Sequence, residues 1–185
     1  LDDPAQREAF CASLDELAEL VKGALASVKG LDLHEEPQLT DINALLREIA
    51  DGLRLQGGEV SVQGSVAPLG VKPLALKRCL TNLLENAVFY GHTASVTLQE
   101  QGGVVTLRIH DAGPGIAQDQ LSRVFSPFVR LEASRSRYTG GSGLGLGIAR
   151  HIARAHGGDI VLSNHSQGGL VATLTLPRQV SITGL

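Results

Sequence analysis

The sequence predicts an α/β fold in which helices lie on one face of a sheet. Two pairs of alternating apolar and polar runs are each joined by a glycine turn, Gln101-Gly102-Gly103 in one case and Gly168-Gly169 in the other, which signals two antiparallel hairpins. Around them stand stretches with apolar residues at helical spacing. Helices mixed with antiparallel strands bury their apolar faces against each other in layers. A chain of 185 residues fits one domain of the usual ~100–200 residues with a short appendage.

Taken in order, residues 5–29 place Phe10, Leu14, Leu17, Val21, Ala24 and Val28 at alternating steps of four and three, a heptad seam that calls for a partner helix. Pro4 suits its start and Gly30 its stop. Residues 31–39 read as a polar linker. Thr40 or Asp41 can cap a helix over about 42–54, with Ile42, Leu45, Leu46, Ile49 and Leu53 on one face. Glu59–Gln63 alternates like a short strand, and Pro73 opens a helix over 73–90. Ala94–Gln99 and Val104–His110 form the first hairpin. A short helix is expected near 118–124, an Arg-rich polar stretch over 130–142, and a helix over 143–156 stopped by Gly157-Gly158. Ile160–Ser163 and Leu170–Leu176 form the last hairpin, before a loose tail.

Composition excludes several classes. The net charge is −3, so binding driven by phosphate neutralisation along nucleic acid is not expected. No apolar run reaches the ~18 residues of a membrane span, and no basic-then-apolar signal opens the chain. Cys11 and Cys79 lack metal-ligand spacing and read as buried, reduced thiols. The chain starts at Leu1 and contains no Met, which reads as a piece of something longer.

Chemistry concentrates in three stretches. Five of the 22 glycines fall between Gly140 and Gly147, and Gly141-Ser142-Gly143-Leu144-Gly145-Leu146-Gly147 opens a helix. Such an N-terminus offers free N–H groups and a positive dipole end to a polyphosphate, although a flexible surface loop has the same composition. No P-loop and no GxGxxG is present. On the 73–90 helix, Asn82, Glu85 and Asn86 share one face. Asparagine is a poor helix-interior residue; its amide oxygen can ligate a hard cation, or its amide can bond nearby backbone. Asp111-Ala112-Gly113-Pro114-Gly115-Ile116 follows a strand directly. Its carboxylate can accept from an exocyclic amine such as adenine's, or simply shape a turn.

Four motifs in order resemble the ATP-binding catalytic region of bacterial sensor histidine kinases, within the wider group of Bergerat-fold ATPases that includes gyrase-type topoisomerases and heat-shock chaperones. They are Leu80-Thr81-Asn82-Leu83-Leu84-Glu85-Asn86-Ala87, Asp111-Ala112-Gly113-Pro114-Gly115-Ile116, Phe125-Ser126-Pro127-Phe128 and Gly141-Ser142-Gly143-Leu144-Gly145-Leu146. The resemblance spans about residues 38–177. It implies an α/β (α+β) two-layer sandwich, a mixed sheet covered by about three helices, with an N-terminal helix before it. Residues 1–30 resemble the second helix of the family's dimerisation hairpin, 31–39 a linker, 40–178 the catalytic domain and 179–185 a tail.

The resemblance also implies roles. Asn86 ligates Mg²⁺, with Asn82 as a second ligand or orienting group. Asp111 holds the adenine amino group of ATP or ADP, Tyr90 flanks the ring, and Gly113, Gly115, Ile116 and Phe128 shape the pocket. Gly141, Gly143, Leu144, Gly145 and Leu146 set backbone N–H groups on the phosphates. Arg130, Arg135 and Arg137 reach phosphate from a lid over about 117–142. Asn82, Glu85 and Arg130 are the candidates for assisting transfer. The implied partners are a response-regulator receiver domain and a second copy joined through the N-terminal hairpin, with no nucleic acid. The implied location is cytoplasmic, with a parent anchored in the inner membrane.

Two departures stand out. The family often carries Lys or Arg three residues after the Mg-ligating Asn; here Phe89 stands there. Losing one charge-assisted contact costs ~1–2 kcal/mol of affinity rather than abolishing it. The phosphoacceptor motif is also missing, since His34-Glu35-Glu36-Pro37 lacks its basic residue. The chain is therefore expected to bind Mg-ATP or ADP without labelling itself. A non-catalytic nucleotide-binding module and an anti-sigma-type serine kinase on the same fold are the alternatives.

Overall fold

The computed structural model describes residues 35–127, 129 and 143–178. The expected heptad helix, Cys11 and the tail after residue 178 lie outside the described residues. The described residues contain seven strands: β1 (Gln38–Thr40), β2 (Glu59–Gln63), β3 (Leu69–Val71), β4 (Thr93–Gln101), β5 (Val104–Asp111), β6 (Asp159–Asn164) and β7 (Leu170–Pro177). Among the same residues three α-helices accompany them: α1 (Ile42–Leu55), α2 (Pro73–Gly91) and α3 (Gly145–Ala155).

Five strands form one mixed sheet in the order β2-β4-β5-β7-β6. β2 runs parallel to β4, and the other pairs are antiparallel. Register places the apolar residues on one side. Val60 lies opposite Ala94, Val96 opposite Ile109, Leu98 opposite Leu107, and Leu107 opposite Leu174. All are buried under the helices. Their neighbours in sequence, such as Ser61, Ser95, Thr97 and Arg108, are exposed on the other side. This is the two-layer sandwich that the alternation and the resemblance led us to expect.

Local chemistry explains the helix ends. Asp41 caps α1, with Oδ1 accepting from the N–H groups of Asn43 (2.8 Å) and Ala44 (3.1 Å). Ile42, Leu46, Ile49, Ala50 and Leu53 then fall on the buried stripe. Each large side chain so buried contributes roughly 1.5–3 kcal/mol. Pro73 begins α2 as expected, but no side chain of its N-cap residue Lys72 caps it. The carboxylate of Glu35 does so from 39 residues away, accepting from Leu74 N–H at 2.7 Å and Ala75 N–H at 3.1 Å. The buried His156 ring completes this end: Nε2 accepts from Lys72 N–H at 3.0 Å, which leaves Nδ1–H to donate to the Ile152 carbonyl at 2.8 Å.

Two local expectations change. Residues 118–124 do not form an α-helix; they form turns and then a short 3₁₀ helix, Arg123–Phe125. Its shorter bonds run over three residues (Arg123 N–H to Gln120 O and Ser126 N–H to Arg123 O, each 2.9 Å), with one longer bond over four from Val124 N–H to Gln120 O at 3.2 Å, and Val124 is its one buried residue. Leu121 and Phe125 pack only partly against the core, and so short a segment is marginal as an α-helix. The strands β1 and β3 were not foreseen, because three residues are too few to show a period.

Candidate functional site

The site is built along α2. Cys79, Asn82, Asn86 and Tyr90 recur every three or four residues and so share a stripe. At Cys79 the stripe meets the middle of α3: the thiol donates to the Ala149 carbonyl at 3.4 Å, and burial pushes its pKa up to about 12, so it is a neutral packing group. One turn on, Asn82 reaches the first residue of α3, where a Cβ on Gly145 would stand 3.8 Å from Asn82 Oδ1. Asn86 lies a further turn along, half-buried. At the helix end, a Cβ on Gly91 would come 2.6 Å from Ala112 N, and one on Gly113 would come 3.0 Å from Tyr90 O. Glycine at both places lets α2 touch the loop after β5. From Asn82 to Tyr90 the helix rises about 12 Å.

The far end of this stripe suits phosphate. Leu144 precedes α3, and no side chain caps the helix there. Among the described residues no side chain accepts from the first-turn N–H groups, and they carry the positive end of the helix dipole. Gly143 turns into the helix with φ +70°, a conformation that side chains disfavour. Asn82 Nδ2 is buried and without a hydrogen-bond partner among the described residues, while its Oδ1 and Cγ are the atoms a Cβ on Gly145 would meet. An unpaired buried amide donor costs roughly 1–3 kcal/mol, which a phosphate oxygen would recover.

The near end suits a base. Asp111 is 5% exposed. Its Oδ1 accepts from Gly113 N–H (2.8 Å) and Leu170 N–H (3.1 Å), while no hydrogen bond reaches Oδ2 among the described residues. The carboxylate is thus fixed through one oxygen and left with acceptor capacity on the other. Tyr90 is 41% exposed beside it and meets Phe89 edge to face, with centroids 4.9 Å apart. Phe89 is itself 49% exposed, so an apolar ring occupies the place of the family's cation.

Phe125 is anchored on α3: a Cβ on Gly147 would stand 2.7 Å from its carbonyl oxygen, and the Arg150 guanidinium lies 4.4 Å over its ring. Asp159 holds that guanidinium through two bonds of 2.8 and 3.0 Å. Gly115 and Ile116 lie in the Asp111 loop, Leu144 is buried, Leu146 packs against the core, and Glu85 is exposed on the flank of α2. Phe128, Arg130, Arg135, Arg137 and Gly141 lie outside the described residues.

Among the described residues no three His, Cys, Asp or Glu side chains gather as a metal cage. The available donors are the amides of Asn82 and Asn86. Such a set fits Mg²⁺, which keeps water and takes one or two protein oxygens together with phosphate. Sequence reading missed Glu35, Asn164 and the backbone N–H of Leu170; each acts from a distant segment and carries no local pattern.

Residues 71–180 match the family model described as histidine kinase-, DNA gyrase B- and HSP90-like ATPase. The chain belongs to that family. It is 46% identical over 179 residues to the sensor histidine kinase GtrS of Pseudomonas aeruginosa, covering 96% of this chain and 37% of that one. It is 36% identical over 170 residues to the histidine-protein kinase BaeS of Escherichia coli, covering 89% of this chain and 35% of the other. The chain spans less than half the length of these relatives. Among solved structures, full-length ShkA in complex with AMPPNP superposes with a TM-score of 0.73 at 25% identity, covering 99% of this chain and 41% of ShkA. The ATP-binding domain of PrrB from Mycobacterium tuberculosis gives 0.64 at 26% identity, covering 78% of this chain and 99% of that domain.

Proposed function

We propose that this chain is the ATP-binding catalytic region of a sensor histidine kinase. The observation that carries the reading is the α2 stripe. It joins the N-terminus of α3, next to the Asn82 side chain whose Nδ2 has no partner among the described residues, to a carboxylate with one oxygen unbonded among those residues. These ends suit the phosphates and the exocyclic amine of one ATP molecule. Asp111 selects the base, Tyr90 flanks it, and the first turn of α3 binds phosphate. Asn86 and Asn82 hold Mg²⁺, which supplies charge neutralisation at the phosphates. Glu85 and Arg130 are the candidates for assisting transfer, and Arg135 and Arg137 for further phosphate contact. The protein's part is positioning and electrostatics rather than covalent chemistry.

In the complete kinase the γ-phosphoryl passes to a histidine that this chain lacks, and then to an aspartate of a response-regulator receiver domain. We assign residues 1–30 to the dimerisation hairpin, 31–39 to the linker and 40–178 to the catalytic domain. No helix among the described residues is long and apolar enough to cross a membrane. The family resemblance favours a cytoplasmic domain on a membrane-anchored parent. Phe89 favours one second reading, a nucleotide-binding module without catalysis.

The test is calorimetric titration with Mg-ATP, alongside Asn86→Ala and a Mg²⁺-free control. Saturable binding, lost or strongly weakened in both controls, is the expected result. A folded wild-type sample that shows no saturable binding overturns the kinase reading.

A further inference from the structure

The loop that carries Asp111 is held in place by a residue on the opposite hairpin. Asn164, the last residue of β6, accepts from Ile116 N–H through Oδ1 at 2.9 Å and donates through Nδ2 to the Ile116 carbonyl at 2.7 Å. One side-chain amide thus takes both backbone groups of a residue 48 positions away. The approach depends on Gly115, where a Cβ would stand 2.6 Å from Asn164 Oδ1. The other end of the loop is fastened to the same hairpin. Leu170 N–H reaches Asp111 Oδ1, a Cβ on Gly169 would overlap the Asp111 carbonyl, and His110 Nε2 lies 3.0 Å from Gly168 O. Between these two anchors run Ala112, Gly113, Pro114 and Gly115. A segment with two glycines has much backbone freedom to lose when a ligand orders it.

We propose that Asn164 is a positioning residue for base recognition: its amide clamp on Ile116 holds the 112–116 loop, and with it the free oxygen of Asp111, in the geometry that selects an amino-purine. The proposal rests on the nucleotide-site reading above. The clamp acts on the base end alone, because the phosphate end is built by α3 and Asn82. Its loss therefore weakens discrimination between purines, not phosphate binding as such.

The experiment uses the full chain, with Asn164→Ala and Asn164→Asp. The second is isosteric; it keeps the acceptor for Ile116 N–H but turns the donor facing the Ile116 carbonyl into a second acceptor. Affinities for ADP and for inosine diphosphate, which carries an oxo group in place of the amine, are measured for each. Melting temperature and amide hydrogen exchange at Ile116 are followed without nucleotide. Asn164→Ala is expected to speed exchange at Ile116, to weaken ADP about tenfold, and to narrow the ADP preference over inosine diphosphate. Asn164→Asp is expected to narrow that preference with little change in melting temperature. The inference is overturned if either folded variant keeps the wild-type preference, if ADP and inosine diphosphate weaken equally, or if exchange at Ile116 is unchanged in Asn164→Ala. A wild-type protein that binds neither nucleotide refutes the site reading instead, and the exchange result then still decides whether the clamp exists.

Discussion

Asp111→Asn separates the structural role of this side chain from its recognition role. Oδ1 accepts two backbone bonds, from Gly113 at 2.8 Å and Leu170 at 3.1 Å. An asparagine presents its carbonyl oxygen to the same two donors and fits the same space, so the loop keeps its fastening. Replacement by alanine would instead strand two N–H groups, at roughly 1–3 kcal/mol each where they are buried. What asparagine changes is the second position, where an acceptor becomes an N–H₂ donor. Facing the amino group of adenine, this removes a charge-assisted bond worth about 1.5–3 kcal/mol and opposes donor to donor. A total near 2–4 kcal/mol weakens ADP by roughly 30- to 1,000-fold. Facing the 6-oxo group of inosine diphosphate, the same N–H₂ finds an acceptor, so the preference should invert. Calorimetry with both nucleotides, on wild type and variant, reads both effects, and thermal unfolding checks the fold. A folded Asp111→Asn protein that binds ADP like wild type would show that another group reads the base.

Three further outcomes follow from the same structure. Phe89→Lys places a cation one residue before Tyr90 and should tighten Mg-ATP by ~1–2 kcal/mol, with a gain that shrinks as salt is raised; a titration at two ionic strengths checks this. Gly147→Ala drives a methyl group to 2.7 Å from the Phe125 carbonyl, so α3 or the 3₁₀ helix must shift; an unfolding loss of ~1–3 kcal/mol is expected by denaturant titration. The hydrogen bond from Arg150, then those from Arg154 and Ile160 N–H, hold the Asp159 carboxyl well below the usual carboxylate range against the opposing effect of its partial burial. Its folded pKa is depressed, so its contribution is complete above the unfolded value of about 3.9 and is lost as pH falls below that. Asp159 is more than a third exposed, so solvent screening limits the contribution to about 1 kcal/mol; Asp159→Asn should flatten the acid limb of the stability profile below pH 4 by that amount.

What the sequence reveals of this fold follows from the reach of each signal. The α1 stripe, Pro73 at the start of α2 and the two glycine-turn hairpins are written in neighbouring residues, and the structure contains them all. The parallel pairing of β2 with β4 is not local, and only the family resemblance pointed to a mixed sheet. Site residues divide in the same way. Asn82 stands out because an amide is out of place on an apolar helix face, and among the described residues its Nδ2 has no partner. Asp111 stands out because glycines follow it. Glu35, Asn164 and Leu170 act through single hydrogen bonds or pairs of them across 39, 48 and 59 positions. No spacing rule reaches that far, and their residue types are unremarkable where they stand. Residues 118–124 mislead for the opposite reason: their pattern is helical, but tertiary packing buries Val124 and covers Leu121 only in part, and turns form instead.

α2 turns these contacts into a measure of ligand length. Its N-terminus is fixed from two directions, by the Glu35 carboxylate and by the His156 ring, and its body is fixed by Leu76, Leu80, Leu83 and Leu84 in the core. Its C-terminus is pressed onto the Asp111 loop through Gly91 and Gly113. Asn82 and Tyr90 are therefore separated by a rigid rise of about 12 Å, which a side-chain rotamer can alter only at the tips. A base without phosphates, or a polyphosphate without a base, engages one end and leaves the other to water. On the proposed reading of the site a nucleoside polyphosphate engages both, and once one end is bound the second joins at high effective concentration, with little further loss of freedom. Affinity then depends on helix length and on the two fastenings as much as on the groups that touch ligand. A positioning residue such as Asn164 can matter for the same reason, since a few tenths of an ångström at the base end act on a fixed span.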